Sequence, residues 1–153
     1  MDYNRERGKL MKLPPKEKIY EAYSAIADGR IEMHDDHAIV KSSDGTKEYT
    51  VSWDKDTFAS SDNATYWQGY PGYPVLAVLL LKGRLTYDEK IIQGMKNIPW
   101  KKLNDQYKRD YAKAAEEAFK TVEGDVEAIQ RLAQTNNREI AELNLLIKRK
   151  IKK

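Results

Sequence analysis

The longest uninterrupted apolar run in the chain is Val75–Leu81, with Pro74 before it and Gly83 just after it. Proline suits the first turn of a helix and glycine suits the residue past its end. The run therefore predicts one short helix, apolar nearly all round. Such a helix has no polar face to give to water, so it must be central and buried. It is also far too short to span a bilayer, which takes about 20 residues. The rest of the chain has to supply the layers that cover it.

The preceding segment supplies two of them. Pro14-Pro15 ends a polar leader, and Ile19, Ala22, Tyr23 and Ile26 then recur at helical spacing up to Asp28-Gly29. This predicts a helix over roughly 16–27. Alternation follows, with Ile31 and Met33 facing one way and Arg30, Glu32 and His34 the other. A two-residue turn at Asp35-Asp36 pairs Met33 with Ala38 and Ile31 with Val40, which makes one face of the hairpin apolar. Ser43-Asp44-Gly45-Thr46 is a second turn, after which Tyr49, Val51 and Trp53 alternate with Glu48, Thr50 and Ser52. The pattern is a three-stranded antiparallel meander with one buried face. Residues 54–62 read as a loop or a short fourth strand. Asp62 or Asn63 can cap a short helix through Ala64–Trp67, which Gly69-Tyr70-Pro71-Gly72-Tyr73-Pro74 breaks.

Past the apolar helix, Thr86-Tyr87-Asp88-Glu89 matches a capping box and opens a helix with Ile91, Ile92 and Met95 inward. Pro99 opens a longer one, in which Trp100, Leu103, Tyr107, Tyr111, Ala114, Ala118 and Val122 step by three and four. Gly124 interrupts, and Asp125 caps a last helix to about Ile151. Its stripe reads as about three heptads. Val126, Ala133, Ile140 and Ile147 take a positions, Ile129, Asn136 and Leu143 take d, and Leu132 and Leu146 widen the seam. Asn136 would fix the register or, with Asn137, break the helix. The expected fold class is α+β: an N-terminal helix, a three-stranded antiparallel meander, then a helical bundle with a long C-terminal helix. The expected organisation is a flexible basic leader (1–12), a compact domain (13–123) and an amphipathic helix with a basic end (124–153).

Three segments together resemble a small family of archaeal proteins of unassigned function. They are Ala27-Asp28-Gly29-Arg30-Ile31-Glu32, then Ser42-Ser43-Asp44-Gly45 to Tyr49-Thr50-Val51, then Asn63-Ala64-Thr65-Tyr66-Trp67-Gln68-Gly69-Tyr70 with Gly72-Tyr73-Pro74. The resemblance spans about 13–122 and leaves the last helix as an addition. It implies a structural unit and no activity.

Charge narrows the function classes. The formal +3 divides into +3 over residues 1–18, +4 over 137–153 and −4 in between. A phosphate backbone would find its cations at the two ends, Lys148, Arg149, Lys150, Lys152 and Lys153 among them. The chain has no Cys, which excludes disulfides, thiolate metal sites and a Cys nucleophile. The polar first fifteen residues lack the apolar stretch of a secretory signal, so a cytoplasmic protein is expected.

Few residues suggest chemistry. His34-Asp35-Asp36-His37 is the nearest approach to a metal site, with the two imidazoles flanking a turn; no metal or cofactor is expected. Tyr66, Trp67, Tyr70 and Tyr73, interleaved with Gly and Pro, can line a small-molecule pocket or stack on bases. No Gly-x-Ser-x-Gly elbow or phosphate-binding glycine loop is present, and both His lie at one hairpin tip, which speaks against an enzyme. The first expectation is a non-enzymatic assembly protein. It would self-associate, or dock a protein partner, through 125–151 by means of Val126, Ile129, Leu132, Ile140, Leu143 and Ile147. The alternatives are a winged-helix-like nucleic-acid binder using the basic ends, and a small-molecule binder or enzyme using the Tyr66–Tyr73 segment.

Overall fold

The computed structural model describes residues 8–149. Six strands form one sheet: β1 (Lys9–Leu10), β2 (Ile31–Met33), β3 (His37–Lys41), β4 (Glu48–Asp54), β5 (Thr57–Ser60) and β6 (Leu146–Arg149). The helices are α1 (Lys18–Ala27), α2 (Tyr73–Leu81), α3 (Glu89–Gln93), α4 (Trp100–Gln106), α5 (Tyr111–Phe119) and α6 (Val126–Glu142), with a single π-helical turn at Ala64–Gln68. The fold class is α+β, as the sequence predicts.

The apolar run takes the expected place. Val75 to Leu80 of α2 are all but inaccessible, and the helix lies between α1 and strands β4 and β5. Pro74 sits in its first turn, and Gly83 follows its end at φ +75°. The first hairpin also has the predicted register, with Ile31 opposite Val40 and Met33 opposite Ala38. Val40 faces Tyr49 and Ala38 faces Val51 in the next ladder.

The sheet is larger than a meander. Its order is β1-β6-β5-β4-β3-β2, and every neighbouring pair is antiparallel except β5 and β6. Residues 57–60, loop or strand from sequence, form β5 with Phe58 and Ala59 buried. The leader expectation needs correction. Residues 9–10 form an edge strand on β6, and the Met11 amide donates to the Leu145 carbonyl at 3.0 Å. Residues 1–7 lie outside the described residues.

Three helix expectations change. The capping residue of α3 is Asp88, which accepts from the Ile91 amide at 3.1 Å. Thr86 is instead engaged by Glu139, through its amide at 2.9 Å and its hydroxyl at 2.6 Å. The long helix from Pro99 is two helices. Lys108 and Arg109 both take positive φ, at 52° and 67°, and Asp110 caps α5 through the Lys113 amide. The last helix ends at Glu142, not near Ile151: Leu143 is extended (φ −76°, ψ 134°), and the chain turns into β6. Without β6, the buried strand β5 would present an unpaired edge, and Leu145 and Ile147, now 0% and 5% exposed, would lose their places in the core. That gain outweighs another turn of helix.

Asn136 neither sets a coiled-coil register nor breaks α6. It is fully buried and accepts from the Tyr23 hydroxyl. Its amide group donates to the Thr86 carbonyl and to Glu139, both at 2.9 Å. This polar knot holds α6 against α1 and the segment ahead of α3.

Candidate functional site

The aromatic connection is built on a buried carboxylate. Asp62, 4% exposed, accepts from the Ser60 hydroxyl and from the Thr65 amide. Thr65 in turn accepts from the Gly72 amide at 3.2 Å. Between these anchors the chain makes its π-helical turn, closed by the Gly69 amide donating to the Ala64 carbonyl. Gly69 takes φ +75°, open to glycine without a Cβ penalty. The sheet edge holds the turn from outside. The Lys12 amide donates to the Gly69 carbonyl at 3.0 Å, and Arg149 Nε donates to the Tyr66 carbonyl at 2.9 Å. The Arg149 guanidinium also lies over Tyr66 and Trp67, at 5.1 and 5.4 Å from the ring centroids.

The connection forms one wall of an open cleft of about 660 Å³, within the roughly 300–1,000 Å³ of small-molecule sites. Six rings line it: Tyr49, Trp67, Tyr70, Tyr73, Trp100 and Tyr111. Five cations do so too, Lys18, Arg30, Lys47, Lys101 and Arg109, against two carboxylates, Glu21 and Asp105. Those carboxylates are already engaged. Glu21 pairs with Lys18 at 3.2 Å and accepts from the Asn104 amide group at 3.0 Å. Asp105 lies 3.3 Å from Lys101.

Burial pulls the Lys18 pKa down, but the Glu21 carboxylate and Tyr111 outweigh it, so the ammonium is held charged. It also rests 4.0 Å over the Tyr111 ring centroid. Burial pushes the Tyr73 and Tyr70 phenols up, and Arg30 and Lys18 respectively offset only part of that. Both phenols therefore stay neutral donors at ordinary pH. Arg30 donates to the Lys41 carbonyl at 2.5 Å, and its buried Nε forms an ion pair with Asp28 at 3.4 Å, too long and misaligned for a hydrogen bond.

Another part of the lining comes from α4 and the break after it. Trp100 Nε1 donates to the Ser24 hydroxyl at 2.7 Å, and the Lys101 amide donates to Ser43 at 2.9 Å. Two successive non-glycine residues with positive φ then carry Arg109 to the cleft. Such conformations cost of order 1–3 kcal/mol each and cluster at functional sites.

Of the aromatic residues singled out from sequence, Trp67, Tyr70 and Tyr73 line the cleft. Tyr66 does not; it packs edge-on against Trp67, centroids 4.7 Å apart. His34 and His37 stack at 4.5 Å, each bonded to a nearby carboxylate, Glu32 and Asp36. Among the described residues no three His, Asp or Glu are grouped to hold a metal. The proposed association stripe is not a free seam. Ile129, Leu132 and Ile140 are buried in the chain's own core, and Leu143 packs against it. Val126 is half-buried, and Ile147 belongs to β6. Lys148 and Arg149 are strand residues, while Lys150, Lys152 and Lys153 lie outside the described residues. No described helix is long and apolar enough to cross a membrane. Sequence reasoning missed the cations, which come from four separate parts of the chain. None has a local signature, and only the fold collects them.

Fold and site together define an α+β protein with a cationic, ring-lined cleft. The chain belongs to the family described as uncharacterised conserved protein UCP014422, whose model matches residues 11–147. The match runs through α6 into β6, so the last helix is part of the family's unit and not an addition after residue 122. No curated protein and no solved structure matches the chain.

Proposed function

We propose that the protein binds a small anionic molecule in the cleft between α1, the aromatic connection and the α4–α5 break. The observation that carries this reading is the charge of the lining, five cations against two carboxylates, an excess of three once Glu21 is set against Lys18 and Asp105 against Lys101. The rings supply apolar surface with polar tips, which suits a compact organic ligand more than a bare ion. The lining serines also favour binding over turnover. Ser42 donates to Asp44 at 2.8 Å, Ser43 serves the Lys101 amide, and both His residues sit on the hairpin tip. A cytoplasmic setting belongs to the same proposal.

The test is a panel of phosphorylated, carboxylated and sulfated metabolites, read by thermal shift and tryptophan fluorescence, with Trp67→Phe as the optical control. A Lys47→Ala/Arg109→Ala variant should keep its melting temperature and lose at least about tenfold in affinity, the scale of one charged hydrogen bond. A panel in which no anion changes either readout would refute the cleft reading.

A further inference from the structure

Trp67 is 65% exposed, while Trp100, which also lines the cleft, is 3% exposed. An indole left in water is normally free to move, but this one is held. The edge of Tyr66 meets it, the Arg149 guanidinium covers one face, and the π-helical turn beneath is tied down by Asp62 and Thr65. A fixed ring with a covered face, standing at a cleft, is a stacking platform for a second planar ring.

The same cleft also carries chemistry of a different kind. Lys47 and Lys101 meet at the Ser42–Ser43 loop: the Ser42 amide donates to the Lys47 carbonyl, and Ser43 accepts from the Lys101 amide. Arg109 joins the same lining from the α4–α5 break. These groups donate only; Lys101 shares its ammonium with Asp105 at 3.3 Å, and Glu21 is paired with Lys18. The lining as a whole adds the side-chain amides of Asn63, Gln68 and Asn104, which both donate to and accept from sugar hydroxyls. The three cations suit an acceptor-rich anion, above all a phosphate.

Resting on the cleft reading above, we propose that the ligand is a nucleoside phosphate, with its base stacked on Trp67 and its phosphate received by Lys47, Lys101 and Arg109. Calorimetric titration of the full chain tests this with the four ribonucleoside 5′-monophosphates, the four nucleosides, ribose 5-phosphate and a ten-residue oligoribonucleotide. At least one monophosphate should bind about tenfold or more tightly than both its nucleoside and ribose 5-phosphate, since stacking on one ring contributes about 1–3 kcal/mol. Trp67→Leu should lose that advantage and leave ribose 5-phosphate binding unchanged. Arg109→Ala should weaken both phosphates alike. Equal affinity for ribose 5-phosphate and every monophosphate would overturn the nucleotide assignment and leave the anion cleft standing. So would unchanged monophosphate affinity in Trp67→Leu. Binding of the oligonucleotide alone would transfer the site to nucleic acid and overturn the proposal. If no nucleotide binds while another anion shifts the melting temperature, the nucleotide assignment fails alone; if no anion of any class binds, both readings fail.

Discussion

A Cβ on Gly72 would stand 2.0 Å from Asp62 Oδ2 and 2.8 Å from its Cγ, closer than real atoms approach. Gly72 has a φ of −72°, so its glycine serves this close approach and not an unusual backbone. Gly72→Ala is therefore expected to displace the buried Asp62 carboxylate and lower stability by about 3 kcal/mol. Urea unfolding measures it, and a loss near zero would mean that Asp62 is not anchored as described. Three carboxylates are held below their ordinary values: Asp36, through its hydrogen bond with His37, and Glu139 and Asp44. Burial raises the Glu139 pKa, but hydrogen bonds from Thr86 and Asn136 outweigh it and hold the group below its ordinary 4.5. The Thr46 hydroxyl and amide, with Ser42, lower Asp44 from 3.8 to about 2. Groups with lowered folded pKa values stabilise the protein above their unfolded values and lose that effect as pH falls through the folded ones. The urea midpoint should thus be flat near neutrality and decline as pH drops below 4.5, continuing toward about 2. Glu139→Gln should flatten the upper part of that decline.

At the scale of elements, the local signals were reliable where one segment decides its own state. Val75–Leu81 could only be a buried helix, and the 31–40 hairpin had one register that put its apolar residues on one face. The signals failed where a distant partner decides. The spacing of Leu143 and Ile147 continues the α6 stripe, yet β5 needs a neighbour, and strand pairing wins. The step from Tyr107 to Tyr111 also keeps helical spacing, and nothing local announces the left-handed pair at Lys108 and Arg109. The cleft was legible only as its aromatic wall. Its cations belong to the N-terminal helix, two strand ends and the α4–α5 region, and no spacing relates them. Deletion of 144–153 tests the role of β6. It strips β1 and β5 of their shared partner, so the cooperative thermal transition should be lost. An intact transition within a few degrees of the full chain would mean that β6 is an appendage.

Over the whole molecule, the sheet order brings the two ends of the chain side by side, β1 against β6, and both reach the aromatic connection. The body between the basic ends carries a formal −4, yet its cleft is cationic. Only Glu21 and Asp105 among the described carboxylates line the cleft, and the fold collects five cations beside its rings. Net charge along the sequence therefore understates this site. The charge arrangement also predicts salt sensitivity: binding of a phosphorylated ligand should weaken as ionic strength rises, because cations on an open cleft are screened. The most direct measurement is a two-dimensional amide spectrum of the full chain, titrated with whichever anion gives the largest thermal shift. Perturbed resonances should cluster in residues 18–30, 42–49, 63–73 and 100–111, with the Trp67 indole among them. Perturbations spread along α6, or confined to the strand residues Lys148 and Arg149, would contradict a binding cleft at this place.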